Sequence, residues 1–286
     1  MKRILFSALC LMTAAFASAA EVWEGSHPVS WDNTLTVEAD KFVEATVGQK
    51  LVFEFTEATG EVIEIHSDGG MLPGTRFAHF IYPDNSNIEV FITPAMLAQL
   101  QATGLEVCGV GFTLTKIALE EGKDNVTAET VWTGYFWMDE WSTLEITKNS
   151  FAGIDWSNYK AIRFCSEAGR TDYVINIKTS WEEAGHIADA GTMTMTDDYA
   201  ELSLDGIDMA ARLESSDRLM IQCNKEGGAP FNFTSVELVP AEGAAIDRVE
   251  VNATATQCFD LYGRKSTAEA KGFVINPGKQ SIAVIR

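Results

Sequence analysis

The chain repeats itself once, at a period of about one domain. Trp23, Leu35, Val37, Phe42, Phe53 and Phe55 find Trp132, Leu144, Ile146, Phe151, Ile162 and Phe164 at a constant offset of 109. Val62, Ile63, Ile65 and Ile92 meet Val174, Ile175, Ile177 and Leu204 at 112, and Leu105 and Val107 meet Leu219 and Ile221 at 114. Phe112, Leu114, Ile117 and Leu119 meet Phe231, Phe233, Val236 and Leu238 at 119. Apolar positions face apolar positions, and the offset only grows, as insertions into loops make it. A period this long is a whole domain and not a solenoid unit.

The last quartet steps by two, three and two residues in both copies. A plain strand keeps a period of two, so the slip from Leu114 to Ile117, mirrored from Phe233 to Val236, predicts a β-bulge in each copy. Elsewhere the pattern is strand-like: Leu51, Phe53 and Phe55 alternate with Val52, Glu54 and Thr56, and Ile88, Val90 and Ile92 with Glu89, Phe91 and Thr93, giving one buried and one wetter face. One short helix is expected per copy. Thr93 caps the first, Pro94 takes its first position and Gly104 ends it; the second begins at Asp205 or Gly206 and runs through Met209, Ala211 and Leu213. The fold class is therefore all-β, two tandem jelly-roll-like β-sandwiches over residues 21–120 and 129–240, joined by the linker 121–128. Residues 246–286 form a small C-terminal β-module, in which Asn276-Pro277-Gly278-Lys279 makes a turn between two strands.

Residues 1–20 read as a secretory signal peptide: Lys2 and Arg3, an apolar run over 4–16, then the small residues Ala17, Ser18, Ala19 and Ala20. No later stretch reaches the roughly 20 apolar residues of a membrane span. Without Lys2 and Arg3 the 21 basic residues become 19, against 41 acidic ones. Such a surface repels nucleic acid and anionic membranes, while neutral polysaccharide remains open as a partner. Cys108, Cys165, Cys223 and Cys258 are too widely spaced for a Cys-x-x-Cys site and read as mostly buried thiols, with one disulfide the alternative.

Phe259-Asp260-Leu261-Tyr262-Gly263-Arg264, followed by Lys271-Gly272-Phe273-Val274-Ile275 and Gly278-Lys279, resembles the short C-terminal β-module of many secreted Bacteroidota proteins. The longer versions of that module serve as type IX secretion sorting domains. The present one lacks their Pro-Asn-Pro element and ends in Ile285-Arg286. The paired Trp-x-Gly motifs, Trp23-Glu24-Gly25 and Trp132-Thr133-Gly134, resemble β-sandwich modules found beside glycoside hydrolases in the same bacteria. That resemblance implies carbohydrate binding, and work beside such hydrolases.

Catalysis finds little support in the residues. Asp139-Glu140, Glu182-Glu183 and Asp197-Asp198 are adjacent pairs that point to opposite faces of a strand, whereas a glycosidase needs two carboxylates facing one sugar. His27, His66, His79 and His186 have no counterparts in the other copy, and no Gly-x-Ser-x-Gly elbow occurs. No cofactor is expected; Asp205 and Asp208 could at most hold a structural calcium.

Tryptophan is the remaining signal, because flat indoles take the apolar faces of pyranose rings. Trp23, Trp132 and Trp156 fall in apolar patterns and are expected in cores. Trp31 and Trp141 lie in equivalent turns and suit either role. Trp137, beside Tyr135 and Asp139, and Trp181, beside Glu182, lie in loop-like segments. Together with Phe77 and Tyr82 of the first copy, these nine residues from Trp31 to Glu182 are the candidate carbohydrate contacts.

Overall fold

A computed structural model describes residues 20–167, 174–194, 198–223, 231–241, 258–259, 265–266, 272–276 and 281–285. The signal segment 1–19, Asp197, and most of the Phe259-to-Arg264 motif lie outside them, as does the turn 277–280. The chain divides into two compact units, the first ending at Val239 and the second spanning Pro240–Arg286.

The first unit contains both copies. Copy one runs β1 (Ala20–Val29), β2 (Leu35–Val37), β3 (Lys50–Thr56), β4 (Val62–Ser67), β5 (Gly70–Met71), β6 (His79–Phe80), β7 (Asn87–Phe91), α1 (Pro94–Thr103), β8 (Leu105–Gly109) and β9 (Phe112–Glu120). Copy two runs β10 (Thr130–Met138), β11 (Thr143–Thr147), β12 (Tyr159–Ser166), β13 (Val174–Lys178), β14 (His186–Thr194), β15 (Tyr199–Ser203), α2 (Met209–Glu214), β16 (Arg218–Cys223) and β17 (Phe231–Pro240). The sheets are ordered β1-β9-β3-β7 and β2-β8-β4-β5 in the first copy, and β10-β17-β12-β15 and β11-β16-β13-β14 in the second. With β5 and β6 counted as one interrupted strand, both copies have first-eighth-third-sixth over second-seventh-fourth-fifth, the strand order of a jelly roll.

The repeat holds at the level of register. Trp23 pairs with Ile117 and His27 with Leu114; Trp132 pairs with Val236 and Phe136 with Phe233. Between Glu54/Lys116 and Phe55/Leu114 the β3–β9 ladder slips one residue, leaving Thr115 as the bulge, and its hydroxyl donates to Glu54 O at 3.0 Å. The second copy slips across Thr234 in the same place. In both copies the Trp-x-Gly tryptophan folds back over its glycine, so a Cβ on Gly25 or Gly134 would lie 2.8 Å from the indole Cζ2. Glycine is thus required by ring packing, and Trp23 and Trp132 are structural.

Two cores result. Phe42, Phe53, Ile63 and Leu114 fill the first, and Phe164, Phe233, Ile177 and Ile221 the second. Helix α1 is capped by Thr93, whose hydroxyl oxygen accepts the Met96 N–H, with Pro94 inside and Gly104 at its end. Helix α2 starts later than expected, because Asp208 and not Asp205 supplies the cap, accepting the Ala211 N–H at 3.0 Å. Phe91, expected on the wetter face of its strand, is buried, since its ring meets Tyr135 of the second copy edge-on at 5.8 Å.

One segment joins the two jelly rolls. Where β14 stays one strand and pairs with β13 on both sides of a register shift, the first copy breaks into β5 and β6 and loops out residues 72–78. That strap lies along β11, the edge strand of the second copy. The Phe77 N–H donates to Glu145 O at 2.8 Å, the Thr147 N–H to Thr75 O at 3.3 Å, and the Gly74 N–H to the Ser150 hydroxyl at 2.8 Å. An open edge is thereby covered. The linker adds Lys123, whose ammonium donates to Gly134 O at 2.6 Å and stands 4.1 Å from the Tyr135 ring centre.

In the second unit β18 (Cys258–Phe259), β19 (Lys265–Ser266), β20 (Gly272–Asn276) and β21 (Ser281–Ile285) form an antiparallel sheet ordered β19-β18-β20-β21. Asn276 pairs with Ser281, the register expected of a short turn between them.

Candidate functional site

Tyr135 and Trp137 stand on exposed positions of β10, so Trp137 is not in the loop expected of it, while Trp31, Tyr82, Trp141 and Trp181 lie in turns and loops between strands. Trp137, Trp141 and Trp181 are 58%, 54% and 59% exposed, and Trp31, Tyr82 and Tyr135 are exposed as well. Trp156 is half-buried and stacks on Phe151.

Trp181 sits in the β13–β14 loop, which is pinned at its base. The Thr179 N–H donates to Gly185 O at 2.8 Å, the Ser216 hydroxyl to Thr179 O at 2.6 Å, and the Arg212 guanidinium to Ala184 O at 3.0 Å. Its indole stands at an open cleft of about 610 Å³, walled also by Ser180, Lys148, Glu214, Asp217 and Arg218. That volume falls in the range of ordinary small-ligand sites. Arg218 bonds both Asp217, at 2.8 Å, and Glu145, and lies 3.7 Å from the Phe77 ring centre, so the strap reaches the cleft wall.

Beneath the indole lies Lys178. It is only 5% exposed, its ammonium is 4.5 Å from the Trp181 ring centre, and it donates to Gln222 Oε1 at 2.8 Å. Desolvation lowers its pKa, and among the described residues no carboxylate pairs with it. Gln222 Nε2 in turn donates to Trp141 O at 3.3 Å. Trp141 occupies a tight Asp139–Ser142 turn with φ +64°, a left-handed conformation unusual for a bulky residue and the kind of outlier that gathers at functional sites. Two exposed tryptophans 40 positions apart are thus connected through Lys178 and Gln222 on the outer face of one sheet.

The remaining candidates are spread more widely. Trp137 stands on β10 opposite Asn232; Tyr135, two residues before it, engages Phe91 and Lys123 at the seam between the copies. Phe77 packs on Arg218, Tyr82 follows β6, and Trp31 tips the Ser30–Asn33 turn. Asp139 and Glu182 are exposed; the Asp139 N–H donates to the Ser142 hydroxyl and Glu182 O accepts the Gly185 N–H, so both anchor the turns bearing the tryptophans. Sequence reasoning missed Lys178, Gln222, Lys148 and Arg218. The available signal was a lysine and a glutamine on outward positions of central strands, where a neighbour on each side limits solvent.

His66 Nε2 is 2.8 Å from Glu64 Oε2, and burial with the Glu106 and Glu64 charges drives the nearby Cys108 thiol up to about 11, where a thiolate is disfavoured. Cys165 is likewise raised to about 11 by burial. Cys108 and Cys165 are free thiols, Cys223 is buried in the second core, and the Cys258 side chain lies outside the described residues. His79 is fully buried. Among the described residues no three metal-ligating side chains converge, and no helix is long and apolar enough to cross a membrane.

No family model matches the chain, and no curated protein does. Among solved structures it is similar to the Bacteroides ovatus mixed-linkage glucan utilization locus protein SGBP-B, determined with a mixed-linkage heptasaccharide, at 21% identity and a TM-score of 0.32. The alignment spans 36% of this chain and 28% of that one.

Proposed function

We propose that this is an exported, non-catalytic protein that binds neutral polysaccharide, with plant-cell-wall β-glycans favoured, through the aromatic surface of its second jelly roll. The observation that carries the reading is Trp181: an indole backed on one face by a buried ammonium and open on the other, at the lip of a 610 Å³ cleft. A cation on one face of an aromatic ring holds it in place, and the free face suits the C–H face of a pyranose. Ser180, Glu214, Asp217 and Lys148 supply donors and acceptors for hydroxyls at the same rim. Trp141, joined through Gln222, extends the platform. Binding of this kind calls for no acid with raised pKa and no bound metal, and it fits a role beside glycoside hydrolases at or outside the cell surface.

Affinity electrophoresis through gels containing β-glucan, xylan or mannan tests it. The protein should be retarded in at least one gel, Trp181→Ala should migrate freely while still folded, and Trp31→Ala should behave as the unaltered chain. Free migration across the whole panel would leave the jelly rolls as structural or adhesive spacers. Reducing sugar released by the unaltered protein, and lost in Glu182→Gln or Asp139→Asn, would make it a glycosidase instead.

A further inference from the structure

At one end of the second jelly roll β11, β13 and β15 finish and β12 and β16 begin, so α2 gathers there with the β13–β14 loop and two 3-10 turns, Lys148–Phe151 and Trp156–Asn158. Two hollows between these elements adjoin the Trp181 cleft. The first, of about 320 Å³, is lined by Phe151, Ile154, Trp156, Ala210 and Leu213, and Lys148 and Glu214 wall both it and the cleft. The second, of about 310 Å³, is lined by Tyr159, Lys160, Leu204, Asp205 and Ile207, and Trp156 walls both hollows. Together the three follow α2 from its last residue to its first: Glu214 borders the cleft, Leu213 and Ala210 the first hollow, Met209 the second.

An aromatic ring stands at each step of this furrow: Trp181, then Trp156, then Tyr159. The half-buried Trp156 ring is held by stacking on Phe151, with centroids 6.0 Å apart and planes 23° from parallel. Exposed Lys148, Glu214, Lys160 and Asp205 stand beside the rings and offer donors and acceptors in turn. Rings beside a polar rim suit a chain of pyranoses, whose C–H faces are apolar and whose hydroxyls point sideways. A lipid or an apolar peptide would instead bury those charges without partners. The first copy has Val47 where the second has Trp156, so the middle ring belongs to the copy that carries Trp181. We propose that the furrow is a run of subsites continuing the Trp181 cleft, so that the ligand is an extended glycan chain lying along α2, with Trp156 as its second platform. This rests on the reading of the Trp181 cleft as a glycan site and adds to it the length and course of the ligand.

Titration calorimetry of the full chain with cello-, xylo- and manno-oligosaccharides, from disaccharide to hexasaccharide, tests it beside affinity electrophoresis in the parent polysaccharides. In at least one series Kd should fall by about tenfold or more with length, the factor one further stacked ring supplies. Trp156→Ala should remove most of that gain and leave the disaccharide Kd unaltered. Ala210→Arg should do the same, because it fills the first hollow from an exposed helix position while Trp156 and Phe151 keep their packing; it decides the matter should Trp156→Ala fail to fold. Equal Kd for disaccharide and hexasaccharide, with retardation still lost in Trp181→Ala, overturns the furrow and leaves the cleft as the glycan site. A gain with length that survives in Ala210→Arg also overturns it, since the chain then leaves Trp181 by another course. Binding of no oligosaccharide and no polysaccharide overturns cleft and furrow together.

Discussion

The two jelly rolls share a strand order, a bulge and a Trp-x-Gly fold-back, yet they differ on the outer face of the same sheet. In the first, outward positions of the central strands hold Glu64, His66, Glu106 and Cys108; in the second the equivalents are Asn176, Lys178, Met220 and Gln222. The loop that follows is a tight turn in the first, with Asp68 and Gly69 at positive φ, and in the second it carries Trp181. The fifth strand is continuous in the second copy and broken by the strap in the first. The copies agree where each core is packed and differ on the outside. One copy carries exposed tryptophans, the other a clasp.

Five experiments would break or sharpen that contrast. The largest effect is expected in acid. An unfolded histidine titrates near 6.5 and folded His79 near 3, so in that window the unfolded state takes up a proton that the folded state refuses. Its contribution is intact above about pH 6.5 and is lost at about 1.4 kcal/mol per pH unit below it. His79→Leu should flatten the pH dependence of unfolding, and hydrogen exchange in acid should show the first copy opening before the second. Equal protection of both copies would mean that His79 does not distinguish them.

Gly74→Ala should come next. The strap bends there at φ +78°, and a Cβ would lie 2.6 Å from Thr93 Oγ1. The left-handed backbone alone costs about 1–2 kcal/mol. Loss of hydrogen-exchange protection at Phe77 and Thr147, with both cores intact, would show the clasp opening. Gly25→Ala and Gly134→Ala test likeness instead. Each drives a methyl into an indole and should cost about 1–3 kcal/mol by denaturant unfolding, with Gly134 the dearer because Trp132 is the better buried of the two rings. A cost in only one copy would show that the shared motif is packed differently.

Smaller effects separate stability from binding. Trp141→Gly should stabilise the fold by about 1 kcal/mol, since it relieves a left-handed tryptophan, and should weaken retardation by glycan. Trp181→Ala should leave stability within about 0.5 kcal/mol while abolishing retardation. A large loss of stability in either variant would return these rings to a structural role.

Much of the fold was legible in the chain. The bulge was readable at Leu114 to Ile117 because it changes the parity of a run, and parity survives in one dimension. The α1 cap was readable because Thr93, Pro94 and Gly104 each act within one turn of the helix. Asp205 was a reasonable start for α2, but Asp208 lies three residues before the amide it caps, and that local geometry prevailed. The strap was not legible: residues 72–78 look like any loop until an open strand edge in the other copy receives them. Nor were Lys178 and Gln222, outward polar residues that take their meaning from the ring of Trp181 and the main-chain carbonyl of Trp141.

By itself, then, the sequence determined two jelly rolls in tandem, because a buried face is written as alternation along a strand and each copy had to write it separately. The tertiary structure decided which outward residues meet. Clasp and indole platform join positions some 44 to 81 residues apart through single hydrogen bonds, and such contacts impose no period on the chain that could announce them.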